Sequence, residues 1–200
     1  MSTLTLKELS APTGEVIKIA SGKTLDLNSQ GTLILPTIPH AKMPSGSVLQ
    51  VKHAILTAPM TSTTAATWID VTNLSISITP KSTSSKFHVS FNLNAMIIAD
   101  NQRGGVRLVR DSTPIGVATS TGSRTAASVS FAGVTDGIYR LKNMSGSALD
   151  SPSTTSAVTY KVQFQCENTT EVKINHDNND TNGSTFFRAT SEITVMEIAG

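Results

Sequence analysis

From Phe87 to Ile97 every odd position is apolar, Phe87, Val89, Phe91, Leu93, Ala95 and Ile97, and the even positions are polar except Met96. A period of two held over that length fits a strand with one buried face and excludes a helix. Such a strand cannot stand alone, so the chain must supply partners and a second layer to cover the apolar side. Shorter runs obey the same rule at 47–54, 67–71, 74–79, 105–110, 115–118, 127–132, 137–141, 157–168, 171–175 and 186–198. Turn residues separate them: Thr79-Pro80-Lys81-Ser82, Arg103-Gly104-Gly105, Asp111-Ser112-Thr113-Pro114, Thr121-Gly122-Ser123, Asp136-Gly137 and the 178–183 run of Asn, Asp, Thr and Gly. No segment has helical periodicity. The chain holds 25 Ser and 28 Thr, a composition that favours strands and turns. The expectation is an all-β fold, a jelly-roll-like β-sandwich over 47–200, preceded by an extended N-terminal arm.

The arm, 1–46, has a different texture. Leu4, Leu6, Val16, Ile17, Ile19, Leu25, Leu27, Leu33 and Leu35 sit in alternations too short and too widely spaced to bury a core by themselves. Pro36, Pro39 and Pro44 then lead into Ser45-Gly46, a linker signature. These apolar side chains are expected to be covered by neighbouring chains, which makes them the candidate anchoring residues. At the other end of the chain, Ile193 and Val195 point one way and Met196 and Ile198 the other. A strand with two apolar faces needs cover on both, so these four residues are the candidate interface of a homo-oligomer.

Chemistry is sparse. The net charge is +2 with the basic residues scattered, which gives no reason to expect nucleic acid as a partner. The one cysteine, Cys166, excludes an internal disulfide and a cysteine-based zinc site, and it lies in phase with Tyr160, Val162 and Phe164 as a small core residue. His40, His53, His88 and His176 show no metal-pair spacing, and His88 points away from the apolar face of its strand. There is no nucleophile elbow, no Walker loop and no outstanding carboxylate pair, and a tight turn accounts for Gly104-Gly105. Catalysis, a cofactor and a bound metal are therefore not expected. Asn178, Asp180, Asn182 and Gly183 match the start of a calcium loop, but Ala189 stands where its bidentate Glu belongs, so an Asx-rich turn is the better reading. Two polar loops remain as candidate receptor-contact sites for a host glycan or protein: Asp100, Asn101, Gln102 and Arg103, and Asp177, Asn179, Asp180 and Asn182. No basic region followed by an apolar one stands at the start of the sequence, and no run approaches the ~18 apolar residues of a spanning helix, so neither secretion nor a membrane is expected.

Four stretches of the head and two of the arm carry a resemblance. The run Gly46-Ser47-Val48-Leu49-Gln50-Val51, the segment 68–86 from Trp68-Ile69-Asp70-Val71 to Ser84-Ser85-Lys86, the segment 150–162 and the close at 191–198 resemble tail-fibre and virion-surface proteins of marine bacteriophages, cyanophages included. The arm segments 19–26 and 31–36 are similar to those preceding such domains. The resemblance implies an oligomeric, usually trimeric, β-rich virion protein whose arm is fixed to capsid or tail proteins. The chain lacks the shaft repeats of a long fibre, which favours a short fibre, knob or decoration subunit made in the host cytoplasm. The alternative is a receptor- or glycan-binding module acting through the loops of the sandwich.

Overall fold

The computed structural model describes residues 39–99, 102–133, 141–168 and 171–200. The nine anchoring candidates of the arm, Asp100, Asn101 and most of the run 137–141 lie outside them. After a short 3-10 turn at His40–Lys42 come β1 (Val48–Leu56), β2 (Met60–Ser62), β3 (Ile69–Ile78), β4 (Lys86–Ile97), β5 (Arg103–Arg110), β6 (Thr113–Ile115), β7 (Val129–Ala132), β8 (Lys142–Asp150), β9 (Val158–Cys166), β10 (Val172–Ile174) and β11 (Ser191–Ile198). The described residues are all-β apart from that turn.

All of the strand pairs are antiparallel, and they form two sheets. In the first, the order is β1-β11-β4-β8, with β10 and β2 continuing the β11 and β1 positions beside the far end of β4. In the second, the order is β3-β9-β5, and β6 and β7 share the remaining edge of β5 at its two ends. Successive long strands alternate between the sheets: β1 in the first, β3 in the second, β4 back in the first, β5 with its edge partners in the second, then β8, β9 and β11 alternating again. This is the double Greek key of an eight-stranded jelly roll. The expected fold class is the observed one.

The core lies between the sheets. Phe87, Val89, Phe91, Leu93, Ala95 and Ile97 face it from β4, as their alternation requires, and meet Tyr160, Val162, Phe164 and Cys166 of β9. The rings of Phe87 and Tyr160 are 5.6 Å apart at a tilt of 34°, which joins the two sheets directly. Cys166 is fully buried, as a core residue should be.

Several element boundaries differ from the sequence expectation for physical reasons. The runs 67–71 and 74–79 are one strand, β3, whose register against β9 shifts between Asp70 and Ser75, with Asn73 at φ +63°. The expected strand 186–198 begins only at Ser191. The polar segment 142–150 was not expected as a strand at all, yet β8 pairs with β4 over its whole length. Its Gly146 lies over the Phe91 ring, where a Cβ would stand 2.7 Å from Cε1. Gly146→Val should therefore destabilise the head by about 1–3 kcal/mol, the usual cost of overpacking, in a urea denaturation series. An unchanged midpoint would show that β8 does not pack on Phe91 as described.

Candidate functional site

The outer face of the second sheet carries a groove of about 750 Å³. Alternation along β9 turns Lys161, Gln163 and Gln165 outward, and β5 turns Arg103, Gly105 and Arg107 to the same side. The Lys161 ammonium donates to Asp70 Oδ2 at 2.8 Å, and Gln163 Nε2 donates to Asp70 Oδ1 at 2.6 Å. Gln163 Oε1 in turn accepts from Arg107 Nε at 2.9 Å. The Arg107 guanidinium lies 4.1 Å from the centroid of the Trp68 ring, a cation–π contact worth about 0.5–2 kcal/mol. Partial burial works to raise the pKa of Asp70, but the hydrogen bonds from Lys161 and Gln163 and the charges of Lys161 and Arg107 outweigh it and hold the carboxyl below its usual range. The indole is thus held in place by a chain of fixed polar contacts.

Gly104 and Gly105 line the groove, and here the sequence expectation of a tight turn is corrected. Both residues lie within β5, paired with Cys166 and Gln165 on one side and with Phe131 and Ser130 on the other. A Cβ on Gly104 would come within 2.8 Å of the Phe131 ring, and one on Gly105 within 3.0 Å of Ala127 Cβ and 3.2 Å of Trp68 Cη2. The glycines are needed for close packing on both sides of the strand. Beside them Gln165 Oε1 is shut off from solvent and has no hydrogen-bond partner. The rim holds Arg103, whose Nη1 is 3.6 Å from Glu167 Oε1, and Arg124, whose Nη1 bonds the carbonyl and hydroxyl of Thr121 at 3.2 Å each.

The second predicted receptor loop has a different character. Asp177 Oδ1 accepts the N–H groups of Asn179 and Asp180 at 3.1 and 2.8 Å, which is the expected Asx turn. Arg188 forks onto Asp180 through Nε and Nη2 at 2.7 and 2.6 Å, and that guanidinium holds the Asp180 carboxyl below its usual range. Asn182 lines a smaller hollow of about 400 Å³ there with Phe186 and Phe187. Buried Asn175 roots the loop: its Nδ2 donates to the Leu56 carbonyl at 2.8 Å, and its Oδ1 accepts from the Ser191 hydroxyl at 2.6 Å. Of the first loop, Gln102 and Arg103 are described, and Arg103 reaches the groove rather than the 177–188 loop. Among the described residues no three His, Cys, Asp or Glu side chains gather in a way that could hold a metal, and no helix is long and apolar enough to cross a membrane.

The third feature is the outer face of the first sheet. Ile193 and Val195 are buried in the chain's own core, so of the four interface candidates only Met196 and Ile198 face outward. The physical reason is that β11 sits between β1 and β4 with its inner side against the second sheet. Strand register sets Val51, Met196, His88 and Leu149 in one row across β1, β11, β4 and β8, with Val48 beside Ile198 at its end. Val48, Val51 and Leu149 are 53%, 55% and 62% exposed. The signal missed in the sequence was Val51 and Leu149, each isolated in its own segment and brought together only by pairing.

No protein-family model matches the sequence, and no curated protein matches it. Among solved structures, the chain is similar to T=1 particles derived from infectious bursal virus, at 12% identity and a TM-score of 0.40, over 84% of this chain and 41% of that one. A VP2 subviral particle of infectious bursal disease virus gives 11% identity and a TM-score of 0.37, over 84% of this chain and 42% of that one. The chain spans about two fifths of the length of those proteins. Scores this low transfer nothing from them to this chain.

Proposed function

We propose that the protein is a non-enzymatic structural subunit of a virion surface, a short fibre, knob or decoration subunit whose jelly-roll head self-associates and whose arm, 1–46, fixes it to capsid or tail proteins. The observation that carries this reading is the mostly apolar row Val51–Met196–His88–Leu149 with Val48 and Ile198 at its end. Isolated exposed apolar residues are ordinary, but a row that brings Val51, Met196 and Leu149 together across a four-stranded face, interrupted only by His88, is a surface suited to another protein. A second copy of the same head is the simplest occupant, since most soluble oligomers are closed homo-oligomers, and in a trimer the row would meet a different patch of the next copy. The resemblance in sequence supports the virion setting and a trimer, and the jelly roll is a fold that virion proteins use among others.

Static light scattering on the full chain tests the self-association. The unaltered protein should have an oligomeric mass, whereas Val51→Lys combined with Leu149→Lys should give a monomer with an unchanged far-ultraviolet spectrum, because both side chains are exposed. Equal masses for the two proteins would overturn the interface. Removing 1–46 should abolish incorporation into particles and leave a folded head, and a shortened chain that still decorates particles would overturn the anchoring role.

A further inference from the structure

The geometry points to the groove on the outer face of the second sheet as a binding site for an acidic saccharide, a sugar chain bearing carboxylates. Saccharides present flat apolar faces edged by hydroxyls, and a site for them combines an aromatic wall with convergent polar groups. Trp68 supplies that wall, fixed in advance by Arg107, Gln163 and Asp70, so little ordering is left to binding. The indole edge packs on the bare backbone of Gly105, where a Cβ would stand 3.2 Å from Cη2, which further fixes the ring. Gln165 lines the groove and its Oε1 has no hydrogen-bond partner, so a turn of the amide toward a bound sugar hydroxyl would satisfy a group that otherwise stands at a cost.

The acidic character follows from the rim. Arg103 has Glu167 as its partner, but no carboxylate among the described residues pairs with Arg124, whose guanidinium bonds only neutral oxygens of Thr121. A fork of donors at the edge of an aromatic-walled groove is matched to a carboxylate. The inference does not depend on self-association, since the apolar row belongs to the other sheet.

Trp68 is the only tryptophan of the chain, so its fluorescence reports on this groove alone. Titration of the full-length protein with tetragalacturonate should give a saturable change, and maltotetraose, which is neutral, should bind more weakly. Arg124→Ala should weaken tetragalacturonate by about ten-fold, as loss of one charge-assisted hydrogen bond does, and leave maltotetraose unchanged. Gln165→Ala should weaken both sugars, and it breaks no existing hydrogen bond of that oxygen, so the fold is kept. No response to either sugar would overturn the site. An equal response to sodium sulfate would overturn its saccharide character, and equal affinity for both sugars in the unaltered and Arg124→Ala proteins would overturn its acidic preference. A mass that stays oligomeric while the titration fails separates this inference from the proposed assembly.

Discussion

Phe87→Ala is expected to lower the unfolding temperature by about 6–20 °C, because emptying a buried phenylalanine site costs about 3–5 kcal/mol and a domain of this size loses about 2–4 °C per kcal/mol. The upper part of that range applies here for two reasons. Phe87 is fully buried, and its ring packs against Tyr160 of the facing sheet, so the cavity opens between the layers, where neither sheet can close it by local movement. Phe87→Leu keeps most of the volume and should cost less than half as much. Calorimetry of the three proteins checks this, and a shift below about 2 °C for Phe87→Ala would mean that the ring does not bridge the sheets.

Asp150→Ala should cost a comparable amount by another route. Asp150 closes β8 with a carboxylate that receives Arg110 Nη1 on both oxygens at 2.7 Å and the Tyr160 hydroxyl on Oδ2 at 2.7 Å. The two ion-pair side chains are only 23% and 11% exposed, so removing the carboxylate strands a largely buried guanidinium and a buried phenol. Breaking such a pair from one side costs about 3–5 kcal/mol, well above the ~0–1 kcal/mol of an exposed ion pair such as Arg103–Glu167. Tyr160→Phe removes only one neutral hydrogen bond and should cost about 1 kcal/mol. The two variants therefore separate in a urea series, and equal midpoints would show that Arg110 does not depend on Asp150.

The same triad sets an alkaline limit. Burial pushes the Tyr160 hydroxyl well above its ordinary value of 10.0, and the hydrogen bond to Asp150 and its negative charge push it further. The folded chain then keeps a proton that the unfolded chain releases, so stability falls as pH rises past the unfolded value. Tyr160→Phe should make that fall shallower.

How much of this was legible beforehand depends on how local each cause is. Side-chain alternation is written into neighbouring residues, so β4, β9 and the inner half of β11 follow from their own segments, as does the burial of Cys166. The Asx turn at Asp177 was equally legible, since the carboxylate bonds amides two and three residues on. β8 was not, because Lys142–Asp150 has small and polar residues and becomes a strand only by pairing along β4.

The candidate sites fall on the non-local side. Trp68 and the glycine pair stood in the sequence without visible relation, and only the pairing of β5 with β9 and β7 sets Gly105 beside Gln165 and against the indole. The groove joins positions of β5, β7 and β9 to the connections at 66–68 and 123–127, and of the described residues in the predicted loops Arg103 lines it. Glu197 shows the same division within one strand. Its period aligns it with Ile193 and Val195, and it is as fully buried as they are, but its partners come from elsewhere: the Gln50 side chain and the Lys81 amide at 2.6 Å. The sequence by itself determined which residues are strands with one apolar face, and so the all-β class, because a period of two is a property of adjacent residues. Which strands lie side by side, which apolar residues are left on the outside and where a groove opens were decided only by the tertiary structure, because pairing joins segments far apart in the chain.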